Sequence, residues 1–179
     1  KTLMKKYPDF RIDVYPTHRS AAAPAWVYEN TFKNATSAKV ADNGYGVVDA
    51  YGGIPFPIPK TGIEVMLNAR LAWEGVAQKY QLNTWVVTGD GHRTLSSAGL
   101  MSWLWPYYYK DARDSYLAKP THYKMGSFVK SDPSAVAGEV ILLHETVNEE
   151  KVPRGVWQYL VGQRRVRKAP SIAYDTPDT

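Results

Sequence analysis

Residues 52–71, GGIPFPIPKTGIEVMLNARL, constrain this chain more than any other stretch. Pro55, Pro57 and Pro59 alternate with Ile54, Phe56 and Ile58. Proline fixes φ, lacks an N–H and presses the preceding residue into extended backbone. Residues 54–60 are therefore expected to form a stiff extended arm that no central strand can hold, with its apolar side chains docked on apolar surface. Thr61, with Glu64 three residues on, has the spacing of a capping box. It opens a helix expected over residues 62–74, with Ile63, Met66, Leu67, Arg70 and Leu71 near one face and Gly75 as its stop.

Around this stretch the patterns are mostly β. Residues 10–15 alternate, Phe10, Ile12 and Val14 against Arg11, Asp13 and Tyr15, and read as a half-buried strand. Pro24 suits the first turn of a helix running to about residue 41, with Val27, Thr31, Ala35 and Ala38 at helical spacing. Residues 43–46 read as a turn and 47–51 as a short strand. After Gly75 strands are expected over 76–88, 92–105, 122–130 and 139–147, with a hairpin turn at Gly89-Asp90-Gly91 and another turn at Asp132-Pro133. A helical turn fits residues 110–116. A last hairpin joins 156–161 to 163–168. Its shortest register pairs Leu160 with Gln163 and sets Trp157 against Val166. Successive antiparallel strands with at most two helices make an α+β meander. The natural form is a curved antiparallel sheet with the helix of residues 62–74 in or across its concave side.

The length of 179 residues fits one domain, 1–179, and 44% hydrophobic content allows a packed core. Thirteen Tyr and six Trp suit sheets and interfaces. The absence of cysteine excludes disulfides and thiolate metal sites and leaves the compartment open. No apolar run approaches the roughly 18 residues of a membrane span. His18, His92, His122 and His144 are scattered, without metal-binding spacing, and His144 and Glu145 should point to opposite faces of a strand. No nucleophile elbow, Walker loop or dinucleotide fingerprint occurs. Asn34-Ala35-Thr36 matches a glycosylation sequon.

Two stretches allow both a structural and a binding reading. Between residues 152 and 174 there is no acid, while Arg154, Arg164, Arg165, Arg167 and Lys168 are present beside Trp157 and Tyr159. Such a hairpin suits anionic headgroups or an anionic strand; cations stacked on aromatics at a charged sheet edge are the simpler reading. Nothing else in the chain points to nucleic acid. Residues 101–109, MSWLWPYYY, are either core or the lining of an apolar cavity.

Several stretches also resemble a family of Gram-negative secreted proteins assigned to outer-membrane lipoprotein sorting. They are Tyr15-Pro16-Thr17-His18-Arg19, Gly53-Ile54-Pro55-Phe56-Pro57-Ile58-Pro59, Gly62-Ile63-Glu64-Val65-Met66-Leu67-Asn68, and the run from Val156-Trp157-Gln158-Tyr159 through Arg164-Arg165-Val166-Arg167-Lys168-Ala169. Leu67 stands where the family has Trp, and Val161 where Pro precedes the turn glycine. The resemblance implies a fold like the periplasmic lipoprotein carriers, an unclosed half-barrel with one or two helices on the concave side. It also implies that this chain is a middle portion of a longer protein whose signal peptide lies elsewhere.

The expectation is a non-enzymatic, cofactor-free periplasmic carrier for lipid, lipoprotein acyl chains or another apolar ligand at the outer membrane. Phe56, Met66, Trp85, Met101, Trp103, Trp105 and Trp157 are the expected apolar lining; Arg164, Arg165 and Arg167 are the expected contacts for a headgroup or an envelope transport partner. The alternative is an envelope scaffold that docks a protein through open sheet edges and the basic hairpin.

Overall fold

The computed structural model describes residues 5–9, 11, 13–16, 21–119 and 122–169. The half-buried strand expected over 10–15 is not seen at Arg11 or Asp13–Pro16, where Val14 and Tyr15 are exposed; Phe10, Ile12 and His18 lie outside the described residues. Helix α1 (Ala25–Ser37) takes Pro24 as its N-cap, one position earlier than expected. There the missing N–H costs nothing, because the first helical N–H groups have no partner in any case. The helix ends at Ser37 rather than near 41, and Ala38 turns extended into strand β1 (Lys39–Val40), which pairs with β2 (Val47–Val48).

Helix α2 (Gly62–Arg70) starts as the sequence dictates. The Glu64 N–H donates to Thr61 Oγ1 at 3.4 Å, and the Thr61 N–H donates back to Glu64 Oε2 at 2.9 Å. The same carboxylate accepts the Lys60 N–H, and these bonds hold its pKa below the usual value. The helix stops at Arg70, short of residue 74. Leu67 and Leu71 face inward, whereas Ile63 and Met66, expected on that face, are exposed.

Six strands follow: β3 (Ala77–Val87), β4 (Arg93–Leu104), β5 (His122–Asp132), β6 (Val140–Thr146), β7 (Gly155–Leu160) and β8 (Arg165–Lys168). They pair antiparallel in sequence order, and β3 and β8 do not pair with each other, so the sheet is not closed into a barrel. The Gly89-Asp90-Gly91 turn forms as expected, with Gly91 at φ 85°. A 3₁₀ turn (Pro106–Tyr108) and helix α3 (Arg113–Ala118) link β4 to β5.

The last hairpin corrects the sequence reading. Leu160 pairs with Arg165, not Gln163, and Trp157 sits opposite Lys168, not Val166. The connection is a 3₁₀ turn (Val161–Gln163) closed by Arg164 in the left-handed region at φ 49°. A two-residue type II turn would splay strands of right-handed twist, and the longer loop avoids this. The shift of two residues keeps Trp157, Tyr159 and Val166 on one face, while Arg164 moves into the loop.

The main core gathers Val27, Val47, Ala50, Tyr51, Leu71, Trp105, Tyr107, Tyr108, Tyr123 and Val147. Only Tyr123 belongs to one of the six long strands. The helices therefore pack around the 3₁₀ turn, at the end of the sheet where β4 passes to β5. The reason lies in the aromatic run. Trp105 is 1% exposed, and Tyr108 makes edge contacts with Trp73 at 4.9 Å and with Tyr107 at 5.0 Å. The Tyr107 hydroxyl donates to the Gly53 carbonyl at 2.8 Å and that of Tyr108 to the Leu71 carbonyl at 2.5 Å. Burial raises the pKa of both, and pushes Tyr51 up to about 12, so all three stay neutral donors.

The proline arm seals this core. Asn34 pairs with the N–H and C=O of Tyr51, Thr31 Oγ1 accepts the Ile54 N–H at 3.0 Å, and Asn68 pairs with the N–H and C=O of Phe56. Each asparagine amide thus stands in for a neighbouring strand that the prolines forbid. Gly53 lies so close to α1 that a Cβ would come within 2.5 Å of the Thr31 nitrogen. Past Phe56 the arm turns outward, and Ile58 is exposed.

Candidate functional site

Strand register sorts the sheet into rows on two faces. On one face Gln78, Trp103, Gly126, Leu143 and Val156 form a row, and Tyr80, Met101, Phe128, Ile141, Gln158 and Arg167 form the next. Two glycines shape this Trp103 face. A Cβ on Gly126 would come within 2.2 Å of the Trp103 ring, and one on Gly99 within 2.7 Å of the Phe128 ring. The rings therefore lie over glycines, which buries Phe128 and leaves Trp103 half-buried. Trp103 Nε1 donates to the Tyr80 hydroxyl at 3.1 Å. Lys124 Nζ sits 4.3 Å from the Trp103 ring and 4.9 Å from that of Trp105, and reaches Glu74 at 3.5 Å. A second pair, Lys130 with Glu139 at 3.3 Å, is largely shielded from solvent.

The opposite face mixes apolar and polar side chains. Its rows read Ala77, Leu104, Met125 and His144; then Lys79, Ser102, Ser127, Leu142, Trp157 and Lys168; then Gln81, Leu100, Val129, Val140, Tyr159 and Val166. A depression of about 430 Å³ opens here, lined by Ala77, Lys79, Ser102, Leu104, Met125, Ser127 and Leu142, with Gln78, Trp103 and Gly126 between them. Leu104, Val129, Leu142 and Val166 are exposed. Antiparallel sheets with one solvated face normally alternate apolar and polar; here β4 and β6 carry large apolar side chains on both faces, Leu100 and Leu104 against Met101 and Trp103, and Val140 and Leu142 against Ile141 and Leu143.

At one end of the Leu104 face three rings meet. His122 and His144 lie 4.9 Å apart between ring centroids, His144 and Trp157 also 4.9 Å, and Lys168 Nζ stands 5.8 Å over Trp157. A break in register between His122 and Lys124 brings His122 to the His144 side while Tyr123 turns into the core. Burial, and then the neighbouring His144, lower the His122 pKa from 6.5. A histidine whose folded pKa is depressed takes up its proton more readily when unfolded. Stability is then complete above pH 6.5 and falls as the pH drops toward the folded pKa. Thermal melts between pH 7.5 and 5 should show this loss, and His122→Phe should flatten it.

The expected site residues divide among these surroundings. Met101 and Trp103 share the Trp103 face, while Trp157 lies on the other, beside Leu142. Trp105 is in the closed core and Phe56 packs against it. Met66 is 66% exposed on the outer side of α2, and Trp85 is exposed beyond a register break in β3. Arg164 lies in the hairpin loop, and Arg165 and Arg167 line the exposed β8 edge. Leu104, Met125 and Leu142, which frame the depression, are not among the expected lining residues. Their signal was present: Leu100 and Leu104 fall on the parity of β4 opposite to Met101 and Trp103. The sequon at Asn34 is a structural position, with its amide buried and bonded. Among the described residues, no group of three or more His, Asp or Glu is placed to hold a metal, and no helix is long and apolar enough to cross a membrane.

Comparison with known families settles the relationship. A family described as "Protein of unknown function (DUF1329)" matches residues 1–179. The chain belongs to this family. It is also similar to the uncharacterized protein PA3922 of Pseudomonas aeruginosa, 37% identical over 186 residues, a match covering 99% of this chain and 38% of that protein. The chain thus spans well under half the length of this curated relative. No solved structure matches it.

Proposed function

We propose that this part of the DUF1329 protein binds lipid acyl chains or another apolar ligand on its sheet, as a periplasmic carrier at the outer membrane that works without catalysis or cofactor. The observation that carries this reading is the open apolar depression of the Leu104 face, about 430 Å³ in volume, with Leu104, Met125 and Leu142 available to a ligand. Burial of each methylene contributes about 0.8 kcal/mol, so acyl chains bind tightly on such a surface. Lys79 and Lys168 stand at the two ends of the row through Leu142, where an anionic headgroup meets a cation. The unclosed antiparallel sheet and the sequence resemblance to lipoprotein-sorting proteins support the same reading. Native mass spectrometry with solvent extraction of gently purified protein should release an apolar ligand, and Leu142→Lys should abolish its capture. Protein that is empty from every preparation and binds no apolar dye would contradict the proposal.

A scaffold role is the second reading, favoured by the edges of β3 and β8, which pair with no further strand among the described residues and invite strand addition. Stable stoichiometric protein adducts on cross-linking in intact cells would favour it over the carrier.

A further inference from the structure

Helix α1 packs Val27 into the core but departs from the usual sidedness of a surface helix further along. It buries Asn34 at 0% exposure and leaves Phe32 84% exposed, with Tyr28 half-exposed one turn earlier. Across from it, Ile58 at the outer end of the proline arm is also 84% exposed. Buried polar groups and exposed large apolar ones are the informative departures from ordinary burial. Here each has its cause. Asn34 is held inside by the Tyr51 backbone. Ile58 is held outside by an arm that Pro55, Pro57 and Pro59 stiffen and that Asn68 fixes at Phe56. A groove of about 760 Å³ runs between Phe32 and Ile58, floored by Ala35, Ala38 and Pro55. A second hollow flanks Phe32 on its other side, bordered by Tyr28 and Lys33.

Three exposed lysines surround these tips. Lys39 and Lys60 border the groove and Lys33 the second hollow. The acids that line the two hollows are Glu29 and Glu64, and the Glu64 carboxylate already accepts the N–H groups of Lys60 and Thr61; Asp49 stands next to Val48, the partner of Lys39.

We infer that this edge is a docking surface for a bilayer bearing anionic headgroups, with Phe32 and Ile58 inserted among the acyl chains and Lys33, Lys39 and Lys60 at headgroup level. Protruding apolar tips ringed by lysines match the interfacial zone, where apolar insertion and attraction to anionic lipid add. The amphipathic lysine stem lets the charge reach the headgroups while its methylenes lie along the apolar tips. The surface is formed by α1 and the arm, and the inference does not depend on a ligand occupying the sheet.

The test is co-sedimentation of the full chain with vesicles of phosphatidylcholine, with and without phosphatidylglycerol. Binding should be stronger on the anionic vesicles. The double variant Phe32→Ser with Ile58→Ser should weaken it about tenfold or more, as should the triple variant Lys33→Glu, Lys39→Glu, Lys60→Glu. Circular dichroism should be unchanged, because all five side chains are exposed. Absence of binding to anionic vesicles overturns the inference, as does binding that both variants leave undiminished. Loss of a soluble protein partner in the Phe32 and Ile58 variant, with no vesicle binding in the parent, overturns it as well.

Discussion

Asn34→Ala should lower the stability of this chain by about 3–5 kcal/mol, as much as truncating a core aromatic. The side chain is wholly buried, and its amide makes three bonds. Oδ1 accepts the Tyr51 N–H at 3.1 Å, while Nδ2 donates to the Tyr51 carbonyl at 3.3 Å and to the Ile54 carbonyl at 3.4 Å. Alanine would leave the Tyr51 N–H and C=O buried without partners, at about 1–3 kcal/mol for each, and the part-buried Ile54 carbonyl without this one. The arm would also lose one of its clamps, and with it the seal over Tyr51 and Tyr107. Urea unfolding measures the change directly. Thr36→Ala is the control, since its hydroxyl bonds only to the exposed Lys33 carbonyl, and it should stay within about 0.5 kcal/mol of the parent. An equally small effect at Asn34 would mean that the arm is not held as described.

Gly99→Ala should come next, at about 3 kcal/mol or more. Its Cβ would approach within 2.2 Å of the Val129 carbonyl oxygen and 2.9 Å of the Lys130 Cα, both backbone atoms of the neighbouring strand. The sheet would have to open there, and Phe128 would lose the space beneath its ring. Gly126→Ala makes the informative comparison. The atoms it would meet are those of the Trp103 ring, which can swing aside at lower cost. That movement would break the bond from Trp103 Nε1 to the Tyr80 hydroxyl. Gly126→Ala should therefore cost less than Gly99→Ala in urea while changing tryptophan emission more.

These two sites also show what the sequence discloses and what it withholds. The capping box at Thr61 and Glu64 was legible because it is complete within four residues. The order of the six strands was legible because alternation and turn residues act locally. Asn34 was not: an amide that pairs with the backbone of Tyr51, seventeen residues on, has no local signature. The last hairpin keeps the strand faces that alternation predicts but shifts register, because Arg164 takes a left-handed position that lengthens the loop. Met66 was assigned inward by helical spacing. The orientation of α2 is set instead by Leu67 and Leu71 against the core and by Asn68 against the arm.

The candidate site was legible in the same uneven way. Met101 and Trp103, two residues apart, had to share a face wherever that face lay. That β4 carries a second apolar parity, Leu100 and Leu104, becomes meaningful only once cross-strand pairing sets Met125 and Leu142 beside it. The meeting of His122 and His144 depends on the register break near Tyr123, which alternation alone does not reveal. The split of the aromatic run between sheet face and closed core follows from Pro106, which ends β4 and turns Tyr107 and Tyr108 under the helices.

The most direct test of ligand binding on the sheet is photolabelling of the purified protein with a fatty acid carrying a diazirine near its methyl end, followed by mapping of the modified peptides. Adducts should concentrate on Leu104, Met125 and Leu142 and be displaced by excess unlabelled fatty acid. Labelling that is absent, that competitor does not displace, or that falls only on the groove between Phe32 and Ile58 would contradict a binding role for the Leu104 face.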